Sequence, residues 1–333
     1  MKLSSCCFAV LLSFLFSSCK LNHKEKLVEF ETIEPVFRTI INSSAESRVI
    51  CEGFDWCEGP VWIADEKMLL FSDVPKNRIY KWTEEGGKQL YLSPSGYTGT
   101  LKRGGELGSN GLAIDNQGKL IICQHGDRRV ARMDSPISSP TASFTTIADN
   151  YLGKKFDSPN DLVVAANGDI YFTDPPYGLE KNTGDPLKEM ARQGVYRISA
   201  TGKVTLLTDT ISRPNGIALT PDGKTLFIAS SDSLKAAWFS YELGAGDSLT
   251  HGKLIFDATG FVQEAPGLPD GMKVDKAGNI FATGPGGIWV FDKKFKLLGK
   301  IHLKGLASNC TFADDDRTLY ITSNDKVIQV KMR

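Results

Sequence analysis

Six stretches of this chain read alike. Each opens on an acidic or amide residue, runs through a short apolar strand, turns at Asp, Asn or Gly, and enters a second apolar strand. "RPNGIALTPDGKTLFIAS", residues 213–230, is the plainest copy, with Asn215 as its opening residue. The others open at Glu58, Asn110, Asn160, Asp270 and Asn309, and consecutive openings lie 39–55 residues apart. A third strand often follows, as in "RIYKW", "GVYRIS", "GIWVF" and "VIQVK". A repeat of that length made of several short strands is the signature of a propeller blade. The expectation is an all-β chain, a six-bladed β-propeller over residues 36–333. One blade cannot cover both faces of its own sheet; stacking against its neighbours does so. The last unit has only three strands before the C-terminus, so "SRVICEG" at 47–53 is expected to supply the fourth and close the ring. A β-sandwich with irregular hairpins leaves the sixfold register unexplained.

The repeat carries a chemical consequence. Its first polar residue sits at the start of the innermost strand, so symmetry gathers Glu58, Asn110, Asn160, Asn215, Asp270 and Asn309 around one end of the central channel. Buried carboxylates without partners cost several kcal/mol each. No Lys or Arg holds an equivalent position, and a divalent cation is the simplest remedy. All-oxygen ligation favours Ca²⁺, Mg²⁺ or Mn²⁺ without choosing among them, and carboxylates also admit Zn²⁺. Asn-Gly and Asp-Gly are equally common turn dipeptides. For Asn110 and Asn309 a plain backbone-bonding role at the blade edge is the preferred expectation; two carboxylates in register argue against that role for the whole ring.

The chain begins "MKLSSCCFAVLLSFLFSSCK". A positive residue, an apolar run and small residues before a cysteine make an export signal. Residues 1–18 resemble a lipoprotein signal peptide, with Cys19 as the lipid-bearing residue and membrane anchor, although Phe16 stands where Leu is usual. An ordinary cleaved secretory signal is the alternative. Residues 19–35 are mostly charged and read as a tether. Lys plus Arg equals Asp plus Glu, 39 each, so charge gives no case for a nucleic-acid partner. An oxidising compartment would permit a Cys51–Cys57 pair, though spacing does not establish connectivity. No C-x-x-C occurs and the four His are scattered, which disfavours a Cys/His zinc site. There is no G-x-S-x-G elbow, Walker loop or H-E-x-x-H.

"GFDWCEGPVW" (53–62), "SPNDLVV" (158–164), "TDPPYGL" (173–179), "RPNGIAL" (213–219) and "LPDGM" (268–272), in this order, resemble the SMP-30/gluconolactonase/luciferin-regenerating family of six-bladed propellers. The resemblance, closest to the bacterial gluconolactonase branch, runs from about Gly53 to the C-terminus. It implies a divalent metal held by Glu58, Asn215 and Asp270, with Asn160 as a fourth ligand or substrate contact. It also implies hydrolysis of a small-molecule sugar lactone. Many animal members carry Arg where this chain has Ser158, so the grip on substrate hydroxyls is expected to differ.

Within that frame the metal would polarise the lactone carbonyl and activate water, and Asp270 is the candidate general base or simply a ligand. Asn160 and Asn110 are candidate substrate contacts, together with His125 in "CQHGDRRV" and Tyr177 in "DPPYGL". Arg128 and Arg129 are expected to form surface pairs. The insertion at 179–193 either covers the pocket mouth or is an ordinary loop. The competing functions are a glycan- or protein-binding propeller with a structural metal, and a related propeller esterase. Oligomeric state is not legible.

Overall fold

The computed structural model describes residues 26–244 and 248–333, so the signal-like segment and Cys19 lie outside the described residues. Six antiparallel sheets follow one another around an axis. Blade 1 comprises Cys57–Ile63, Met68–Asp73, Arg78–Thr83 and Gly87–Leu92. Blades 2 to 5 begin with inner strands Ser109–Ile114, Leu162–Val164, Pro214–Leu219 and Met272–Val274. Blade 6 runs Ala307–Ala313, Thr318–Ser323 and Lys326–Lys331, and takes its outer strand, Glu46–Glu52, from the other end of the chain. The closure expected from "SRVICEG" is thus present, with Ser47 opposite Val330. The fold is a six-bladed β-propeller.

Why these runs become strands is visible in their burial. Second and third strands are covered on both faces, so they read as unbroken apolar stretches such as "IFATG" and "GIWVF", buried at every position. Outer strands face water; Leu249–Asp257 has no buried residue. The core is a set of inter-blade layers. Trp238, Trp289 and Phe291 pack between blades 4 and 5, with the two indoles 5.4 Å apart. Phe156, Phe172 and Tyr196 pack beside blades 2 and 3. Burying each such large side chain stabilises the fold by roughly 1.5–3 kcal/mol.

The tether reading fails in part. Val28–Thr32 adds to the outer edge of blade 5 as a fifth strand, Val28 opposite Leu303. The sequence "VEFET" alternates apolar and charged residues, the pattern of a half-buried strand, and the density of charge masked it. Phe37, in the short helix Phe37–Ile40, is buried against Gly299 of the same blade.

The glycines that follow the ring residues are not turn formers. They lie where inner strands converge on the axis. A Cβ on Gly216 would sit 2.0 Å from the carbonyl oxygen of Asp270, and one on Gly59 1.9 Å from that of Asn110. Only Gly lets adjacent blades approach this closely. Gly216→Ala is therefore expected to lower stability by about 1–3 kcal/mol, the range for forcing extra volume into a packed core. A denaturant midpoint unchanged by this substitution would remove the close approach as a constraint.

Candidate active site

Five of the six ring residues line one cavity of about 390 Å³: Glu58, Asn110, Asn160, Asn215 and Asp270. They come from five different blades, as the repeat register requires. The sixth, Asn309, does not line it. It lies beneath, buried, donating Nδ2 to Glu58 Oε2 (3.2 Å) and Asp161 Oδ2 (3.5 Å). Its Nδ2 thus orients a carboxylate, while its Oδ1 accepts the main-chain N–H of Cys310 at 2.9 Å, the backbone bond expected of it. Asn110 departs from the expected backbone-bonding role: its buried Oδ1 has no hydrogen-bond partner.

Each ring side chain is held from behind. Glu58 Oε2 accepts the N–H of Gly59 at 2.8 Å. Asn215 donates Nδ2 to Ser231 Oγ at 2.9 Å, and Ser231 in turn donates to the carbonyl of Pro269. The main-chain N–H of Asp270 is bonded to Thr283 Oγ1 at 3.1 Å. Asn160 Nδ2 faces His125 Nε2 at 3.4 Å. With the amide so placed, Nδ2 donates, Nε2 accepts, and the proton of the neutral ring is on Nδ1.

The electrostatics are lopsided. Burial pushes the Glu58 carboxyl up to about 8, and the nearby Asp161 charge adds to this; bonds from Gly59 and Asn309 and the charge of Lys273 oppose it. Asp270 is raised well above the ordinary carboxylate range, first by burial, then by Glu58 and Asp161. Lys273 reaches the channel from below, its Nζ 3.4 Å from Asn309 Oδ1. Burial and mutual proximity thus disfavour the charged forms of Glu58 and Asp270, and the one ammonium nearby only partly offsets this at Glu58.

The structure bears on three sequence expectations. His125 is fully buried and is not among the cavity-lining residues; it stands behind Asn160, a positioning place rather than a substrate contact. Burial pulls its pKa down to about 3, a hydrogen bond to the Glu106 main chain opposing this and the Arg103 charge adding to it. Arg128 and Arg129 do form ion pairs, with Glu189 at 3.8 Å and Asp127 at 3.0 Å, but Arg128 is buried and also donates Nε to the carbonyl of Phe156 at 2.6 Å. No residue of the 179–193 insertion lines the cavity. Lys188 of that insertion ties down to Asp157 at 2.5 Å instead.

Tyr177 does line the cavity, and burial beside Asp270 pushes its hydroxyl up to about 12. Ser158, in place of an arginine, is wholly buried. It donates Oγ to the Pro175 carbonyl at 2.6 Å and accepts the Gly178 N–H at 2.9 Å, bracing the turn that presents Tyr177. Cys51 and Cys57 are both free thiols buried between blades 6 and 1, so no disulfide joins them.

Sequence reasoning missed Asp161, Glu106 and Trp56. Asp161 follows Asn160 where four other units have Gly, and that exception in "NDLVV" was the available signal. Glu106 and Trp56 line the cavity from loops outside the repeat register. Val262, Leu268, Leu306 and Ala307 give the cavity an apolar side.

Fold and site define a six-bladed propeller with an oxygen-rich cavity at the starts of its inner strands. The chain belongs to the SMP-30/gluconolactonase/LRE-like family, whose sequence profile matches residues 56–325. It is 38% identical over 305 residues to a gluconolactonase of Zymomonas mobilis, covering 90% of this chain and 85% of that one. It is 27% identical over 229 residues to the pentonolactonase XacC of Haloferax volcanii, covering 68% of this chain and 65% of the relative. The solved structure of a gluconolactonase from Xanthomonas campestris superposes with a TM-score of 0.77 at 29% identity, covering 92% of this chain and 95% of that one.

The raised carboxyls set a sign for the metal-free protein. A carboxyl whose folded pKa lies above its unfolded value stabilises the fold at low pH. That contribution is lost as pH rises from about 4.5 through about 8 for Glu58. In chelated protein the melting temperature is expected to fall across this window. Added Ca²⁺ or Mn²⁺ should raise it more at pH 8 than at pH 5. Equal shifts at both pH values, measured by thermal denaturation, would contradict the assignment of a cation to these carboxyls.

Proposed function

We propose that this chain is a divalent-metal-dependent hydrolase of sugar lactones, yielding the aldonic acid. One observation carries the reading. Glu58 and Asp270 meet three amide side chains in a single cavity, and the Asn110 oxygen there is buried without a partner. An all-oxygen set of this kind, with excess negative charge, fits a hard cation: Ca²⁺, Mg²⁺ or Mn²⁺. Glu58, Asn160, Asn215 and Asp270 would hold it. A cation there supplies the positive charge that polarises a lactone carbonyl and keeps both carboxyls ionised.

The protein's own groups do the rest. Asp270 is the base that takes a proton from the attacking water, a role typically worth about 10²–10⁴-fold. Asn215 is fixed by Ser231, and Asn160 by His125, so neither amide must reorganise as charge develops. Tyr177 and Asn110 offer hydrogen bonds to sugar hydroxyls, while Leu268 and Leu306 cover an apolar ring face. The cavity volume of about 390 Å³ lies in the range of small-molecule sites. The lactonase relatives named above support the substrate class.

The reading includes export, with residues 1–18 as a signal and a lipid on Cys19 anchoring the propeller to a membrane; the sequence of that segment is its support. Labelled fatty acid should enter the protein in cells and be lost in Cys19→Ser. Label retained in that variant would overturn the anchor.

For the activity, base titration of D-glucono-1,5-lactone hydrolysis is expected to show turnover that chelation abolishes and a divalent cation restores. Asp270→Ala should lose about 10²-fold or more in kcat while keeping its fold by circular dichroism. Full activity in that variant would take Asp270 out of the chemistry. Turnover of no lactone, alongside tight glycan binding, would favour a binding propeller.

A further inference from the structure

One cavity carboxyl has no part in the ring. Glu106 comes from the loop between blades 1 and 2, at no blade's inner-strand start, yet it lines the cavity with Glu58 and Asp270. Behind it stands His125, fully buried, with Nδ1 3.6 Å from Glu106 Oε2 and its ring also bonded to the Glu106 main chain. The tautomer set by Asn160 puts a proton on that nitrogen, so the ring presents its one N–H to Glu106, bonding the main chain and holding the residue with its carboxyl beside the ring.

The loop is fastened so that this juxtaposition holds. Arg103 donates to the carbonyl of Gly126, the residue after His125, and its guanidinium lies over the Tyr97 ring at 5.0 Å. The main-chain N–H of His125 donates to Gly108 at 3.2 Å. Gly105, at φ +88°, sits so close to Gly178 that a Cβ would come 2.7 Å from its carbonyl oxygen. The same contact ties this loop to the turn bearing Tyr177.

We infer that Glu106 is the proton donor to the ring oxygen that leaves when the lactone opens, with His125 as its positioning residue. This rests on the lactonase reading and adds to it the second proton transfer that any such reaction needs. Water oxygen bonds to the carbonyl carbon, and its proton passes to Asp270. The bond between that carbon and the ring oxygen then breaks. The departing oxygen, an alkoxide, takes the Glu106 proton and becomes the hydroxyl of the hydroxy acid. A proton returned from Asp270 through solvent restores Glu106. The sum is lactone plus water to hydroxy acid, with no other reactant.

Two carboxyls in one cavity can serve as base and acid when their surroundings separate their roles. Asp270 belongs to the cation-holding ring. Glu106 is outside it, its side chain 41% exposed. The cavity walls around Glu106 push its carboxyl up to about 7, which lets it give and regain a proton near neutrality. The charged and titratable groups around it are His125 at its back, Arg103 on its own loop, Glu180 packed on Gly104, and Glu58, Asp270 and Tyr177 in the same cavity.

The test compares wild type, Glu106→Gln and Glu106→Asp on D-gluconolactone, with spontaneous opening subtracted. Because the acid form is the active one, wild-type kcat is expected to decline as pH rises through about 7. Glu106→Gln should lose about 10²-fold in kcat, with KM little changed, and should lack that alkaline limb. Glu106→Asp should recover part of the rate and retain the limb, and it serves alone if the Gln variant does not fold. A Gln variant with wild-type kcat overturns the assignment. So does one that is slow but keeps the limb, since a purely structural role would leave the pH profile unmoved. So does an Asp variant that lacks it. A wild-type protein that opens no sugar lactone overturns the lactonase reading, and this assignment with it; an active wild type with an unaffected Gln variant overturns this assignment alone.

Discussion

Like charges forced together at the convergence of six strands are the constraint on which this molecule depends. Glu58, Asp161 and Asp270 reach the same channel from blades 1, 3 and 5, and Lys273 is the ammonium that answers them from below. Repulsion of this kind is tolerated only where the surrounding structure leaves the charges no other place. Here the inner strands are held at main-chain contact distance through Gly59 and Gly216, and the blades are locked by buried aromatic layers. The fold supplies the rigidity, and the channel head gathers carboxyls whose charged forms burial disfavours.

The supporting bonds show how that rigidity reaches individual atoms. Asn309 turns Glu58, Ser231 turns Asn215, and His125 turns Asn160, each through a side chain that is itself buried. Preorganised dipoles of this sort cost nothing to reorient during reaction, which is the usual source of an enzyme's electrostatic advantage. The apolar side formed by Val262, Leu268, Leu306 and Ala307 keeps the opposite face of the cavity free of competing charge.

What could be read from the sequence follows from where the repeat applies. Strand pairs joined by Asp, Asn or Gly turns make the blades visible, and their register brings Glu58, Asn160, Asn215 and Asp270 to one cavity. The register failed for Asn309, which points one layer deeper. It also concealed Asp161, because Asn160 had already taken the ring position. Loops carry no repeat, so Glu106 and Trp56 gave no periodic signal, and His125 could be placed near the channel but not behind Asn160. Val28–Thr32 was hidden by charge density, although its alternation was present in the sequence.

The central claim is that one divalent cation sits among Glu58, Asn160, Asn215 and Asp270. Anomalous scattering from a crystal of the protein soaked in Mn²⁺ tests it directly. The account predicts a single strong peak in the cavity, within about 2.0–2.6 Å of oxygens of both Glu58 and Asp270. A map with no peak there, or with those two side chains turned apart around an ordinary water, would contradict it.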